Sequence, residues 1–443
     1  MLRAIGVGSV DELFSSIPAE LRDRAKAVEL EPALDETTLM RHVNELAHKN
    51  AAGDMVSFLG AGAYDHVFPQ AADQLLLRSE FYTAYTPYQP EVAQGTLQVI
   101  FEFQTIVSEI LGLPVANASM YDASTALAEG VLMARRLTKR DRVVMSADVH
   151  PQYAETVRTY VAEIDEGEPK IGVVPVTSDL TSDIDALIGA IGDDAACVVL
   201  SYPSYYGTVV DLTNLAEAAH AAGAQLVTVT QDPFALALLE PPGALGVDIA
   251  VAEGQALGLP PQYGGPGVGL FACRQDRKVL QQMPGRLCGE TVDKDGKRGY
   301  VLTLSTREQH IRRERATSNI CTNSGLCATA LTIKMCMLGK RGFVEIAQQC
   351  VAKAQYLAEA LDELEGYEVA TGAPTFNELP LRVRGGDPRA VVDAAAQNGV
   401  LAGVPASSAL GGPEDVLLTA VTEKHTKADL DRLTAALEAF QPS

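Results

Sequence analysis

Polar side chains that could bind an anion stand directly before an Ala- and Leu-rich predicted helix of this 443-residue chain. In the segment 118–126, ASMYDASTA, they are Asp122, Ser124 and Thr125. The free N–H groups and the dipole of a helix N-terminus bind phosphate well. Asp122 weakens this interpretation, because its carboxylate would repel a phosphate and because Asp is also an ordinary N-cap residue.

A second acid, Asp232, follows a predicted strand at residues 225–230. A carboxylate at this place could keep the nitrogen of a bound ring protonated. The pair Asp232-Pro233 is also an N-cap with proline at the first helical position, which explains the acid without any ligand. We favour the cap.

One reactive group is missing from this part of the chain. Between Ile171 and Arg277 there is no lysine. An aldehyde cofactor is held by an imine to a lysine amine. Chemistry of that kind would therefore need an amine from elsewhere.

The residues above belong to a region in which short apolar runs alternate with helical stretches. Short strands separated by helices predict βαβ units and a mostly parallel sheet that is buried on both faces. The predicted strands are 142–145, 171–176, 197–201, 225–230, 248–252 and 267–273, and the predicted helices are 124–136, 152–162, 183–191, 211–222 and 233–239.

The flanking regions have a different pattern. Helices and loops are predicted before residue 75, including a short helix near Val10 that Ser9 would cap and a helix over 35–47. A long amphipathic helix over 342–364 precedes strands at 379–383, 400–402 and 416–421. We predict an N-terminal helical segment (1–75), a large α/β domain (76–335), and a linking helix with a small α+β domain (336–443).

This order of elements is that of pyridoxal-phosphate enzymes of the aspartate-aminotransferase fold, fold type I, and we predict that fold class. In this fold an Asn after a central strand bonds the oxygen of the pyridine ring, and Ser204 stands there in SYPSYYGTVVDL. The Schiff-base lysine follows the strand 248–252, ahead of a Gly-Gly-Pro turn, which places Gln255 at or beside it. A glutamine cannot form the imine.

Composition excludes several other classes of protein. The net charge of −22 disfavours nucleic acid as a partner. Seven cysteines without a CxxC pair and seven histidines without HxH or HExxH predict neither a disulfide framework nor a zinc site. No run of about 20 apolar residues and no N-terminal signal core are present, so we expect a cytoplasmic protein without a membrane partner.

Five segments resemble the P-protein family of the glycine cleavage system, and within it subunit 1 of the two-chain bacterial glycine dehydrogenase (decarboxylating). The resemblance extends over nearly the whole chain, and the last segment is the most specific. The segments are FLGAGAYDHVFP at 58–69, TAYTPYQPEVAQGTLQ at 83–98, FQTIVSEILGLPVANASMYDASTALAEG at 103–130, EGQALGLPPQYGGPGVGLFA at 253–272 and GRLCGETVDKDGKRGYVLTLSTREQHIRRERATSNICTNSGL at 285–326.

The resemblance implies a function. P-proteins decarboxylate glycine on pyridoxal phosphate and pass the aminomethyl group to the lipoyl arm of the H-protein. In the two-chain form subunit 2 carries the Schiff-base lysine, and the subunits form a heterodimer and an α2β2 heterotetramer. This chain is then expected to bind no cofactor covalently, to be inactive alone, and to complete the partner's active-site wall and lipoyl channel. Ser204 and Gln255 agree with this.

Candidate contacts with the partner's site come from two polar segments, and we expect no catalytic residue and no metal ligand in this chain. The candidates are Tyr85, Tyr88, Gln89, Thr322 and Asn323.

An arginine cluster allows two interpretations. It could contact a carboxylate of a partner chain. It could also lie on a surface helix and pair locally with Glu308 and Glu314, which we favour. Its members are Arg307, Arg312, Arg313 and Arg315.

Three functional hypotheses remain open from the sequence. The chain is an obligate subunit without an imine, which we favour, or a complete cofactor enzyme that uses an outlying lysine such as Lys278, or a scaffold or regulator that has left catalysis. Lys278 fits poorly, because it lies beyond the Gly-Gly-Pro turn and the strand after it. Homodimerisation in isolation is also compatible with the sequence.

Overall fold

A computed structural model describes residues 1–25, 30–82, 86–162, 164–165, 168–320, 322–408 and 412–440. By its internal contacts the chain divides into two compact units, residues 1–54 and residues 55–443. The division into three parts at residues 75 and 335 stays a prediction.

The first unit is helical. It contains α1 (Leu2–Ile5), α2 (Ala19–Arg24) and α3 (Glu36–Ala47). Helix α3 confirms the predicted helix, and the Asp35 carboxylate caps it by accepting a hydrogen bond from the Thr38 N–H at 3.0 Å. The Ser9 hydroxyl does accept from the Glu12 N–H at 3.3 Å, but the residues Asp11–Phe14 that follow form a 3-10 turn.

The second unit is an α/β fold with additional small sheets. Its helices are α4 (Gln70–Leu76), α5 (Gln94–Leu111), α6 (Ala123–Thr138), α7 (Pro151–Ala162), α8 (Ile184–Ala190), α9 (Thr213–Ala221), α10 (Gln255–Gly258), α11 (Arg277–Gln282), α12 (Gln309–Arg312), α13 (Gly325–Asp362), α14 (Pro388–Gln397) and α15 (Lys427–Glu438). Its strands are β1 (Val56–Ser57), β2 (Val115–Ala116), β3 (Arg142–Ser146), β4 (Ile171–Val174), β5 (Ala195–Ser201), β6 (Gln225–Thr230), β7 (Ile249–Glu253), β8 (Gly269–Cys273), β9 (Leu287–Val292), β10 (Arg298–Thr303), β11 (Tyr367–Val369), β12 (Glu378–Val383), β13 (Val400–Leu401), β14 (Val404–Pro405) and β15 (Val416–Ala420).

The central sheet has seven strands in the order β2-β8-β7-β6-β5-β3-β4. Strands β3 to β7 run parallel to one another, and β8 runs antiparallel to β7 and β2. The six strands predicted for this region are therefore confirmed within a few residues at each end. The predicted helix 233–239 is instead a 3-10 turn over Pro233–Ala237, since Asp232 caps it and further prolines follow at 241 and 242.

Both faces of the sheet are buried, because successive side chains of each strand enter opposite cores. In β5, Val198 and Leu200 enter one core with residues of α5, α8, α9 and α13, whereas Cys197 and Val199 enter a second core with residues of α6 and α7. A parallel sheet covered on both faces positions functional side chains at the carboxyl ends of its strands.

The C-terminal region follows a long helix, α13. Gly339, where φ is 57° and ψ is −178°, divides α13 into two helical parts. The part after Gly339 confirms the predicted helix over 342–364 within a few residues, whereas the part from Gly325 to Gly339 was not predicted. A four-stranded antiparallel sheet, β11-β12-β15-β14, follows with α14 and α15. Asp387 and the Thr426–Asp429 capping box begin these two helices as predicted. Within the described residues, no helix is both long and apolar enough to span a membrane.

Candidate functional site

The carboxyl ends of the parallel strands bring the sequence-predicted residues to one edge of the sheet. Asp232 follows β6, Gln255 follows β7, and Ser204 follows β5. The loop 58–69 and the start of α6 reach the same edge through the hydrogen bonds described below. Parallel α/β sheets bind ligands at this edge, so a cofactor site of this chain would be expected here.

The N-terminus of α6 is already occupied by a carboxylate of the chain itself. Asp122 forms a capping box with Thr125 and accepts from its N–H at 2.8 Å, as the N-cap interpretation predicts. Glu253, at the end of β7, accepts a further hydrogen bond from the Ala123 N–H at 2.9 Å. Two N–H groups at the start of α6 are thus bonded to acids of this chain.

Glu253 is buried and hydrogen-bonded by three backbone N–H groups. Besides Ala123, the N–H groups of Gln255 and Val268 donate to it at 3.0 and 3.1 Å. Burial raises the pKa of Glu253 to about 7, although these three donors act in the opposite direction. A phosphate dianion at this place would face Glu253 and Asp122 together, so the arrangement disfavours it.

Asp232 holds a buried polar network as well as a cap. Its carboxylate accepts from the Phe234 N–H at 3.1 Å, which confirms the cap. One of its oxygens also lies 2.8 Å from His66 Nε2 and 2.8 Å from the Asn377 amide nitrogen. This carboxylate oxygen therefore has two partners from this chain.

His66 links two acids that are distant in sequence. Its Nδ1 lies 2.6 Å from a carboxylate oxygen of Glu423, and the imidazole is fully buried. Burial lowers the pKa of His66, but Asp232 and Glu423 raise it by more, so the net pKa is well above the ordinary value. Burial likewise raises the pKa of Glu423, yet the hydrogen bond and charge of His66 bring it to about 2. The three residues therefore form an ion triad with a protonated imidazole.

A buried lysine lies beside this triad. Lys334, on α13, is 0% exposed and donates from Nζ to the Ala256 carbonyl at 2.8 Å. Burial lowers its pKa to about 8, against the opposite effect of Glu423 and Asp232. Its hydrogen bond places this amine at the backbone of α10, at the residue after Gln255.

Gln255 and Ser204 bond to their own turns. The Gln255 amide nitrogen donates to the Leu259 carbonyl at 2.7 Å. The Ser204 hydroxyl lies 2.7 Å from the Thr208 hydroxyl and accepts from the Thr208 N–H at 3.1 Å. Lys278, the outlying lysine weighed above, is exposed on α11, where its N–H is capped by Asp276.

The glycine-containing loop 58–69 closes over this edge. The Ala61 carbonyl accepts from His150 Nε2 at 3.0 Å, and its N–H donates to Glu378 at 2.8 Å. Gly62 has φ +102°, and a Cβ there would lie 2.7 Å from the His150 ring, so the close approach requires glycine. Burial lowers the pKa of His150 to about 4, and its ring stacks on Tyr153 at 4.4 Å.

The residues at this edge do not fit pyridoxal phosphate. Gln255 stands at or beside the place predicted for the imine lysine. Glu253 and Asp122 bind the N-terminus of α6, and Asp232, which would face a ring nitrogen, is bonded to His66. We therefore derive no cofactor chemistry from this chain.

Two of the predicted partner contacts, Asn323 and Tyr88, are connected through the loop 117–119 and Arg286. The Asn323 amide donates to the Ala118 carbonyl at 3.0 Å and to the Ser119 hydroxyl at 2.7 Å. The Ala118 N–H donates to the carbonyl of Arg286, whose guanidinium donates to the Tyr88 hydroxyl at 3.3 Å. Tyr88 remains 62% exposed, so one face of this assembly is open.

The other candidates are less firmly placed. Gln89 is exposed and Thr322 is half-buried. Tyr85 lies outside the described residues. All five assignments stay predictions.

The arginine cluster divides into two kinds of residue. Arg307 is buried and donates to the carbonyls of Met283, Leu304 and Gly285, so it stabilises the backbone rather than binding an anion. Its three companions are exposed, and Arg315 pairs with Glu314 at 3.9 Å, in accord with the local pairing we favoured. Glu308 instead pairs with Arg286 at 3.4 Å.

Sequence reasoning missed four buried polar residues of this edge, namely His66, His150, Glu253 and Glu378. A signal existed for Glu253, because an acid ends an otherwise apolar strand that is buried throughout. The partners of His66 lie 166 and 357 residues away, and no local pattern reveals such pairs.

The fold defines a protein of the fold type I pyridoxal-phosphate class. Glutamate decarboxylase from Lactobacillus brevis shares this fold at a TM-score of 0.70 and 15% identity, covering 95% of this chain and 96% of that one. The family model described as glycine cleavage system P-protein matches residues 1–437. The chain belongs to that family.

Relatives and a solved structure agree with this membership. A Sorangium cellulosum protein named "Probable glycine dehydrogenase (decarboxylating) subunit 1" is 65% identical over 442 residues, which cover 100% of this chain and 97% of the relative. One of the same name from Rhodospirillum centenum is 52% identical, covering 99% and 96%. The crystal structure of a glycine decarboxylase (P-protein) in inhibitor-bound form has a TM-score of 0.91 at 41% identity, covering 99% of this chain and 97% of that chain.

Proposed function

We propose that this chain is the cofactor-free subunit of a two-chain glycine dehydrogenase (decarboxylating). Its partner, subunit 2, carries pyridoxal phosphate on a lysine, and two such pairs form an α2β2 heterotetramer. The complex decarboxylates glycine and passes the aminomethyl group to the lipoyl arm of the H-protein.

The observation that carries this proposal is the absence of lysine between Ile171 and Arg277, where Gln255 stands at or beside the expected place of the Schiff-base lysine. A glutamine cannot form the imine, so we propose that the reactive centre is on another chain. The subunit 1 name of the relatives supports a second chain. The free thiols of the six described cysteines support a cytoplasmic location.

The contribution of this chain to the reaction is positional. The open assembly of Tyr88, Arg286 and Asn323 lies beside the α6 N-terminus, and we propose that it forms a wall of the partner's active site. Tyr85, Gln89 and Thr322 are proposed as further contacts of the same wall. Such a wall orients glycine and excludes water while the partner does the chemistry.

The test is exchange of glycine carboxyl carbon with labelled bicarbonate, measured with each purified subunit and with the mixture. We expect exchange only in the mixture. Full exchange by subunit 2 alone would contradict the proposal and favour a scaffold or regulatory role for this chain. Exchange by this chain alone would require it to be a complete enzyme.

A further inference from the structure

The N-terminal unit, residues 1–54, lacks a core of its own. None of its described residues, 1–25 and 30–54, is buried. Thirteen of its large apolar side chains are at least two-fifths exposed. Isolated short helices are marginal in water, because helix formation in proteins depends on packing an apolar face. This unit therefore needs a surface that covers it.

Helix α3 shows which face has to be covered. Leu39, Met40, Val43 and Leu46 are between 46% and 52% exposed. At about 100° per residue these four side chains lie within a single arc of the helix, and Arg41 lies on the opposite side. The helix thus presents an apolar stripe and a separate polar face.

The size of the apolar surface matches a protein interface. If thirteen apolar side chains are about half exposed and each offers roughly 100 Å², they present on the order of 700 Å². A standard protein–protein interface buries about 800 Å² on each partner. A small ligand would cover only a fraction of this surface.

Charge narrows the choice of occupant. Arg41 is the only Lys or Arg of α3, which also carries Glu36 and Glu45. Helices that bind membrane surfaces are rich in Lys and Arg on the polar face, so a lipid surface is disfavoured. Two copies of a chain with a net charge of −22 repel each other, which disfavours a second copy.

We propose that residues 1–54 form an arm that docks the apolar stripe of α3 on the cofactor-carrying subunit. This inference rests on the proposed function, because it requires that second subunit. The arm is then an assembly element, and its helices are stabilised when the heterodimer forms.

The experiment compares three purified full-length chains for binding to subunit 2 of the same organism by sedimentation or calorimetry. Leu39→Glu/Val43→Glu places two charges on the stripe and keeps good helix formers. Arg41→Glu makes the same change in net charge on the opposite face. We expect the double variant to weaken the heterodimer by about tenfold or more, and Arg41→Glu to bind like wild type.

Equal affinity of the double variant and wild type for subunit 2 would contradict the docking of α3 and leave the proposed function intact. Failure of the wild-type chain to bind subunit 2 would overturn both. A photo-reactive amino acid at Val43 provides a second measurement in the assembled complex. A cross-link to subunit 2 supports the proposal, and a cross-link only to residues 55–443 of its own chain or to a second copy contradicts it.

Discussion

Replacement of His66 by glutamine should destabilise the isolated chain strongly. Glutamine keeps a polar group but removes the buried positive charge between Asp232 and Glu423. Two charge-assisted hydrogen bonds, at 2.8 and 2.6 Å, are lost. Each is worth about 1.5–3 kcal/mol, and breaking a buried ion pair typically costs about 3–5 kcal/mol. We expect the free energy of unfolding to fall by about 3–5 kcal/mol.

The assay is urea unfolding at pH 7, followed by circular dichroism. His42→Gln is the matched control, because His42 is exposed on α3, and it should change the free energy of unfolding by less than about 0.5 kcal/mol. A decrease in the free energy of unfolding of less than about 1 kcal/mol for His66→Gln would contradict the ion triad.

The structure also predicts how the effect of His66→Gln on the free energy of unfolding depends on pH. The pKa of Glu423 is about 2 in the folded chain, against an ordinary value of 4.5. Its contribution to stability is therefore complete above pH 4.5 and is lost as the pH falls toward 2. The difference in free energy of unfolding between wild type and His66→Gln should accordingly become smaller below about pH 4.

Three further predictions concern neighbouring residues. Burial raises the pKa of Glu378 from 4.5 to about 7, so ionisation of this carboxyl lowers the free energy of unfolding as the pH rises between these values. In urea unfolding, Glu378→Gln should therefore be more stable than wild type by up to about 3 kcal/mol at pH 8, but not at pH 4. An equal gain at both pH values would contradict this. Gln255→Lys should take no stoichiometric borohydride-stable label from pyridoxal phosphate, since Glu253 still occupies the α6 N-terminus; a full label at residue 255 would refute the filled site. Asn323→Ala should lower the free energy of unfolding by about 1–3 kcal/mol, because it removes two hydrogen bonds. Thr322→Ala should keep the stability of the chain, and it should lower glycine–bicarbonate exchange by the complex about tenfold if Thr322 contacts the partner's site. Unchanged exchange in Thr322→Ala would remove that residue from the wall.

Local chemistry made part of this fold predictable. Asp122, Asp232, Asp387 and Thr426 are caps whose partners lie two or three residues away, so the sequence alone reveals them. The strands of the parallel sheet are buried on both faces, which leaves continuous apolar runs that are easy to recognise.

The buried polar contacts of His66 could not be predicted, because they join distant parts of the chain. His66 belongs to a loop with no secondary structure, and it meets acids from two other regions. The segment 58–69 was informative only through its resemblance to a family. The part of α13 that precedes Gly339 was not predicted from the sequence, whereas the part after it was.

The central claim is that this chain leaves the cofactor to its partner, and one measurement tests it most directly. The purified heteromeric enzyme is reduced with borohydride, and the labelled lysine is located by mass spectrometry of the separated subunits. We predict a stoichiometric pyridoxyl-lysine in subunit 2 and none in this chain. A stoichiometric label on a lysine of this chain, Lys278 or Lys334 included, would contradict the claim.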